Sequence, residues 1–355
     1  MSTNDEPDRE GTPVPPSEIV GTINIPILAR ICDDIRASII SYRSPGAWPH
    51  LTELYGLISA FLADEDVPKM HISLDTIRAC RLDKLLEDIL EPEYHPHGGE
   101  GDDEFTGLVS KACKLQRTWR ARFKEAYDEL DEVRCREMLT IGRLQGLRFC
   151  VDDQPRWVLK KGAEEPLSAS MEPGTWFLNL ACAKKHGIEG DSLENLSING
   201  TRVLPLLWGK EETITADLVK YTREGKAKDM SYSFLKHVGS QTHVFRGYQL
   251  RGPFSPTVGI RYDGIYNLRS FSLKRDAHTG VYRMTLTGDR APDQIPLQAL
   301  RAVPRPAEMD DWRLCEMIEE QAMRNAGREA EFAKWKQAKI DKLDFFRLSR
   351  LEGEM

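Results

Sequence analysis

The sequence predicts an α+β protein in three parts: an N-terminal α-helical bundle, a curled β-barrel and a C-terminal helical tail. Three observations carry this. Between residues 26 and 150 apolar residues recur at helical spacing, as in "SLDTIRACRLDKLLEDIL" (73–90) and "GLVSKACKLQRTWRARFKEAYDEL" (107–130). Between 172 and 303 short β-like runs alternate with glycine- and charge-rich turns, the pattern of a barrel or curled sheet. From 307 to 355 the composition is helix-forming with mixed charges ("EMIEEQAMRNAGREAEFAKWKQAKIDKLDFFRL"), which reads as a solvated helix or coiled-coil-like tail.

In the first part, Leu74, Ile77, Leu82, Leu85, Leu86 and Ile89 fall on the buried face of one helix. Leu108, Ala112, Leu115, Trp119, Phe123, Tyr127 and Leu130 repeat the pattern, and "EPEYHPHGGEGDDE" between the two is an acidic, glycine-rich loop. Its His95-Pro-His97 pair has no cysteine partner, so no metal site is expected there. In the second part the β-like runs are Thr175–Asn179, Thr201–Trp208, Ile214–Tyr221, His243–Leu250, Gly259–Phe271 and Val281–Thr287.

Composition narrows the function. The chain has 355 residues, 40% of them hydrophobic and 30% charged, and no apolar run approaches the roughly 20 residues that span a bilayer. Residues 1–25 open acidic and proline-rich, unlike a signal peptide, and read as a disordered tail. The seven cysteines form no C-x-x-C pair, which excludes zinc-finger and RING sites, and their scatter fits a reducing compartment. No G-x-G-x-x-G, Walker loop or H-E-x-x-H motif is present, so neither catalysis nor a cofactor is expected. The net charge of −7 argues against indiscriminate nucleic-acid binding, yet from Lys220 to Arg290 thirteen basic residues stand against five acids, a local balance of +8. Such an excess on a β scaffold is the electrostatic footprint of a polyanion site.

Within this basic stretch "GIRYDGIYNLRSF" (259–271) reads as a strand interrupted by Asp263-Gly264, an acid and glycine that normally mark a turn or bulge. Tyr262 and Tyr266, at spacing four, are expected on one face in the core, with Asp263 accepting hydrogen bonds from Arg261 or nearby backbone and Gly264 permitting a tight bend.

The ordered set "GTWFLN" (174–179), "SING" (197–200) with "RVLPLL", "DLVKYT" (217–222), "THVFRG" (242–247), "GIRYDGIY" (259–266) and "GVYRMTLT" (280–287) resembles the SRA (YDG) domain family over about 130 residues. The resemblance implies a PUA-like curled barrel that binds DNA and, in many members, holds a flipped-out 5-methylcytosine. It implies a modified-base pocket of Trp208, Glu211, Glu212, Tyr221 and Thr222, with the two aromatic rings sandwiching the base and a glutamate reading its edge. It implies DNA-backbone contacts in the basic segment "REGKAKD", taken here as Arg223, Lys226 and Lys228, and at Arg246, and a structural role for Arg261, Tyr262, Asp263 and Gly264. The chain departs from the family where glutamates replace shorter aspartates, where Trp208 is displaced by about one position, and where Arg223 stands in place of glycine. Separately, Leu82, Leu85, Leu86, Leu115 and Trp119 resemble the last helices of the N-terminal helical bundle of transcription elongation factors.

The expected function is that of a non-enzymatic nuclear chromatin protein: an SRA-type domain reading DNA, methylated DNA included, and a helical domain binding an unidentified protein partner. The alternative is a protein-interaction scaffold whose degenerate pocket no longer reads modified bases. A nuclease ranks third, for want of an acidic-lysine metal constellation.

Overall fold

The computed structural model describes residues 23–41, 48, 50–95, 103–151, 156–160, 171–190, 193, 195–215, 218–226 and 233–337. Most of the tail expected over 1–25, together with His97, Lys228 and residues 338–355, lies outside the described residues. The protein is α+β and divides into two compact units, Met1–Tyr127 and Asp128–Met355.

The first unit is helical: α1 (Ile25–Ser41), α2 (Leu51–Glu65), α3 (Leu74–Cys80), α4 (Leu82–Leu90) and α5 (Asp103–Phe123). The sequence predicts one helix across 73–90, but Arg81 adopts φ 55° and breaks it in two. A left-handed residue ends one helix and turns the chain before the next. Ser73 caps α3 by accepting from the Thr76 amide at 3.1 Å. Ile77, Leu82, Leu85 and Ile89 are fully buried, as are Leu108, Leu115 and Trp119 of α5. Each such side chain contributes about 1.5–3 kcal/mol through burial. The Trp119 indole donates to the Glu65 carboxylate at 3.0 Å, and the buried Arg36 pairs with Asp88 at 2.6 Å. His95 packs edge-on against Trp48 and Phe105.

After α6 (Glu125–Asp128), where the units divide, the second unit begins with α7 (Leu130–Thr140) and a hairpin, β1 (Leu147–Cys150) with β2 (Arg156–Leu159). There follow β3 (Trp176–Phe177), α8 (Leu180–Lys184), β4 (Ser197–Ile198), β5 (Thr201–Thr213), β6 (Leu218–Gly225), β7 (Gln241–Arg251), β8 (Ile260–Arg275), β9 (Tyr282–Arg290) and α9 (Pro306–Asn325). The strand order is β3-β8-β7-β5-β6-β9, and the 16-residue β8 also pairs with β9. That second pairing closes β5 to β9 into a ring. Among the described strands only β5 and β7 run parallel.

Apolar residues fill the ring's interior (Leu204, Leu206, Val219, Tyr221, Val244, Tyr266, Leu268 and Leu286), while Trp176, Phe177, Phe245, Ile260 and Tyr262 form a second cluster with Met138, Trp157, Leu314 and Cys315. The helix read as a solvated tail is therefore part of a core over Pro306–Asn325. Its buried stripe runs Asp310, Leu314, Cys315, Glu319, Met323, and two of those five are acids, which is why mixed charge concealed it.

The Arg-Tyr-Asp-Gly run is a β-bulge. Pairing with β7 passes from Val244↔Gly264 directly to Phe245↔Tyr262, leaving Asp263 as an extra residue. An extra residue reverses the alternation of a strand. Tyr262 consequently packs in the outer cluster and Tyr266 inside the ring, on different faces rather than the shared one their spacing predicts. Gly264 has φ 100°, and a Cβ there would collide with the Gln294 Oε1 that accepts from the Ile265 amide at 2.8 Å.

Asp263 is wholly buried, and so are Arg261, Arg246 and Glu211. Arg246 donates through Nε and Nη2 to the two oxygens of Glu211, both at 2.7 Å, and through Nη1 to Asp263 at 2.5 Å. Arg261 donates to both oxygens of the same Asp263 (2.5 and 2.9 Å) and to the carbonyls of Leu300 (2.6 Å), Val303 (3.0 Å) and Phe254 (2.5 Å). Burial alone would lower the proton affinity of Arg246, but Glu211, Tyr266 and Asp263 outweigh it and hold that affinity well above the ordinary guanidinium value.

Removing one member of such a network strands a charge in the interior. Asp263→Ala is expected to lower stability by about 3–5 kcal/mol, seen as a drop in the urea midpoint. Gly264→Val lowers the midpoint too, by steric collision and the left-handed φ. An unchanged midpoint for Asp263→Ala would contradict this account of the motif.

Candidate nucleic-acid interface

The candidate site is built by irregularity in β5. Its register with β7 shifts between Leu206 and Trp208, and Gly209 follows at φ 108°. A Cβ at Gly209 would stand 2.7 Å from the Thr222 carbonyl oxygen and 3.0 Å from the Tyr221 ring, so only glycine lets β5 approach β6 this closely. Trp208 is thereby turned outward, 37% exposed, with the Arg223 guanidinium 5.1 Å from its ring centroid.

Beyond the bulge, alternation sorts the side chains. Lys210 pairs with Thr222 and Glu212 with Lys220, and these four line one surface; Glu211 pairs with Tyr221 between them, and both are buried. The outward residues, with Gln249 and Arg251 of β7, Ser272 and Lys274 of β8 and Arg283 and Thr285 of β9, line a cleft of about 990 Å³. Among the described residues six basic side chains (Lys210, Lys220, Arg223, Arg251, Lys274, Arg283) and two acids (Glu212, Glu224) line it. Glu212 accepts from Lys210 at 2.8 Å and Lys220 at 3.1 Å, and these hydrogen bonds hold its carboxyl below the usual carboxylate range. Glu224 accepts from Arg283 at 2.6 Å.

The structure thus brings Trp208, Glu212, Thr222 and Arg223 together and removes three residues from the expected site. Tyr221 is 3% exposed; burial pushes its phenol up to about 12, and its hydroxyl donates to the Trp208 carbonyl at 2.7 Å. It lies in the core, so the two-ring sandwich is not formed. Glu211 has no exposed side-chain surface, is held on both oxygens by Arg246 and cannot read a base edge. Arg246, expected at the DNA backbone, has no exposed surface, because the parity of β7 turns it into the ring beside Glu211. Lys226 is exposed at the end of β6, and Lys228 lies outside the described residues.

The +8 balance also overstates the surface. Arg246 and Arg261 are paired inside the protein, Arg290 is buried and donates to the Ile295 carbonyl at 2.5 Å, and Arg223 lines the cleft with only 8% of its surface exposed. Conversely, Lys210, Lys220, Arg251, Lys274 and Arg283 were not singled out from sequence as contacts. Their signal was available: Gln249 and Arg251, Ser272 and Lys274, and Arg283 and Thr285 each stand two apart on a strand, the spacing of one sheet face. Among the described residues no group of three or more His, Cys, Asp or Glu is placed to hold a metal ion, and no helix is long and apolar enough to cross a membrane.

No protein-family model matches the chain, and no curated protein matches its sequence. Among solved structures the chain is similar to Arabidopsis thaliana SUVH6 in complex with SAM, at 13% identity and a TM-score of 0.28, over 70% of this chain and 42% of that one. It is similar to the SUVH5 SRA domain in complex with methylated CHH DNA, at 12% identity and a TM-score of 0.20, over 45% and 86% of the two chains. It is also similar to the modification-dependent restriction endonuclease TagI, at 16% identity and a TM-score of 0.25, over 46% and 57%. The chain therefore spans less than half the length of the SUVH6 chain and somewhat over half that of TagI.

Proposed function

We propose that the second unit is a DNA-binding module, and that DNA lies in the cleft carrying Trp208. The observation that carries this reading is the cleft itself: six basic side chains and an exposed tryptophan converge on one face of a chain whose net charge is −7. Cations that track a phosphate backbone beside an aromatic ring that stacks a base are the recurring apparatus of nucleic-acid binding on β scaffolds. In this reading Lys220, Arg251 and Lys274 hold phosphates. An extruded base stacks on one face of Trp208, where Glu212 and Thr222 reach its edge. The module reads DNA without chemistry, methylated cytosine being the base that the family resemblance implies, and it works in the nucleus on chromatin. The helical unit serves a protein partner.

The burial of Tyr221 and Glu211 favours a second reading, in which the cleft grips the backbone and leaves the base unread. The two separate in one assay. The full chain, titrated with unmodified, hemimethylated and fully methylated duplexes, prefers a methylated duplex in the first reading and binds all three alike in the second.

In both readings affinity falls steeply with salt through counterion release. Replacing Arg251 and Lys274 together by glutamine is expected to weaken binding to every duplex equally and to reduce the slope of log K against log salt by about two. Binding indifferent to salt would sink the DNA assignment altogether.

A 2-aminopurine beside the methylated cytosine reports extrusion. Its fluorescence is expected to rise on binding and to stay flat with Trp208→Ala, stacking on one ring being worth about 1–3 kcal/mol. Tyr221→Phe is expected to cost about 1 kcal/mol of stability and to leave the rise intact, because its hydroxyl serves the Trp208 carbonyl and not the base. A signal lost with Tyr221→Phe and kept with Trp208→Ala would reverse these roles.

A further inference from the structure

A second cavity, of about 410 Å³, opens in the same unit between the β1–β2 hairpin, α8 and α9. Its walls are aromatic. Phe149 and Trp157 stand with ring centroids 5.4 Å apart, Tyr248 and Trp312 with centroids 5.3 Å apart and planes at 66°, and Trp335 contributes a fifth ring. Two carboxylates share the space with one guanidinium, that of Arg156, an exposed residue of β2. Glu319, 7% exposed, accepts from the Trp157 indole at 2.8 Å, and Glu316 lies one helical turn away on α9. The negative field reaches the rings: burial first, then Glu316 and Glu319, raise the Tyr248 phenol above its ordinary value. None of these residues takes part in the basic cleft; Tyr248 lines this cavity while its neighbour Gln249 lines the cleft.

Several aromatic rings around carboxylates select a narrow chemistry. Two glutamates against one exposed arginine leave the lining net negative, and the nearly buried Glu319 favours a positive charge beside it. A primary ammonium is strongly hydrated and needs three acceptors, which ring carbons do not supply. A neutral apolar group gains from the rings but nothing from the glutamates. A methylated ammonium satisfies both, since its methyl shell sits against ring faces and its spread charge is drawn to the ring quadrupoles and to the two glutamates. Leu178, Leu180 and Ile260 extend the lining with aliphatic surface for the carbon stem behind such a head. We propose that this cavity binds a methylated ammonium group on an alkyl stem, the chemistry shared by a trimethyl-lysine side chain and by free choline.

The test is a titration of the full chain, followed by calorimetry or by the fluorescence of the lining tryptophans, with four probes. They are a short glycine-flanked peptide carrying one trimethyl-lysine, the same peptide with unmodified lysine, choline, and 3,3-dimethyl-1-butanol, the neutral carbon isostere of choline. The charged methylated probes are expected to bind at least about tenfold more tightly than their unmethylated or neutral counterparts. Saturation by the peptide alone assigns the site to protein-borne ammonium, and saturation by choline alone to a small molecule; either supports the proposal. Glu316→Gln, which keeps the shape of a half-buried side chain, is expected to weaken the charged probe and leave the isostere and the melting temperature unchanged. Trp335→Ala is expected to weaken both charged probes. An isostere that binds as tightly as choline, or a failure of both charged probes to bind, overturns the proposal.

Discussion

Two cations and two anions locked inside a ring of strands set the terms for the rest of the second unit. Glu211, Arg246, Asp263 and Arg261 come from three strands, and their charges cancel with no surface exposed. Such a set is nearly neutral in stability against a well-packed apolar alternative, but it is unforgiving about position. Asp263 reaches it only because the bulge adds a residue to β8, and the bulge exists only because Gly264 accepts a left-handed φ. Register, bulge and ion network are therefore one constraint. It fixes which face of β5 and β6 points outward, and hence which side chains reach the cleft.

The same constraint explains what the sequence could tell. Alternation of short apolar runs is enough to announce strands, and the helical spacing of Leu82, Leu85, Leu86 and Ile89 is enough to announce a buried helix face. Trp208, Thr222 and Arg223, which the family resemblance singles out, line the cleft. Parity after a bulge is a different matter. A one-residue insertion is silent in composition, yet it sends Tyr262 and Tyr266 to different clusters. Arg246 illustrates the other limit. A guanidinium counts as +1 in any sequence tally, and only the fold shows Glu211 and Asp263 folded around it. Helix α9 is the third case, because Asp310 and Glu319 occupy buried positions that a hydrophobic pattern assigns to carbon.

Both sites in the second unit follow from how a strand neighbourhood treats tryptophan. In the cleft, Trp208 is turned out by a glycine and steadied by Arg223, leaving a ring face toward solvent among cations. In the aromatic cavity, Trp157 is pinned through its indole nitrogen to Glu319, so a ring and a carboxylate arrive together. One setting suits a polyanion and the other a cation. The two sites therefore need not compete.

The guanidinium of Arg261 does more than complete the ion network. Its bonds to the carbonyls of Phe254, Leu300 and Val303 stitch the ring to the segment that leads into α9, and α9 in turn supplies Leu314 and Cys315 to the outer cluster. The ring is thus not a transplantable cassette. A fragment cut to the strands alone would leave a charged group facing vacated carbonyl positions and an apolar wall without its cover. The contacts that hold the ring in place run at least from α7 to α9, which share the outer cluster through Met138 and Leu314.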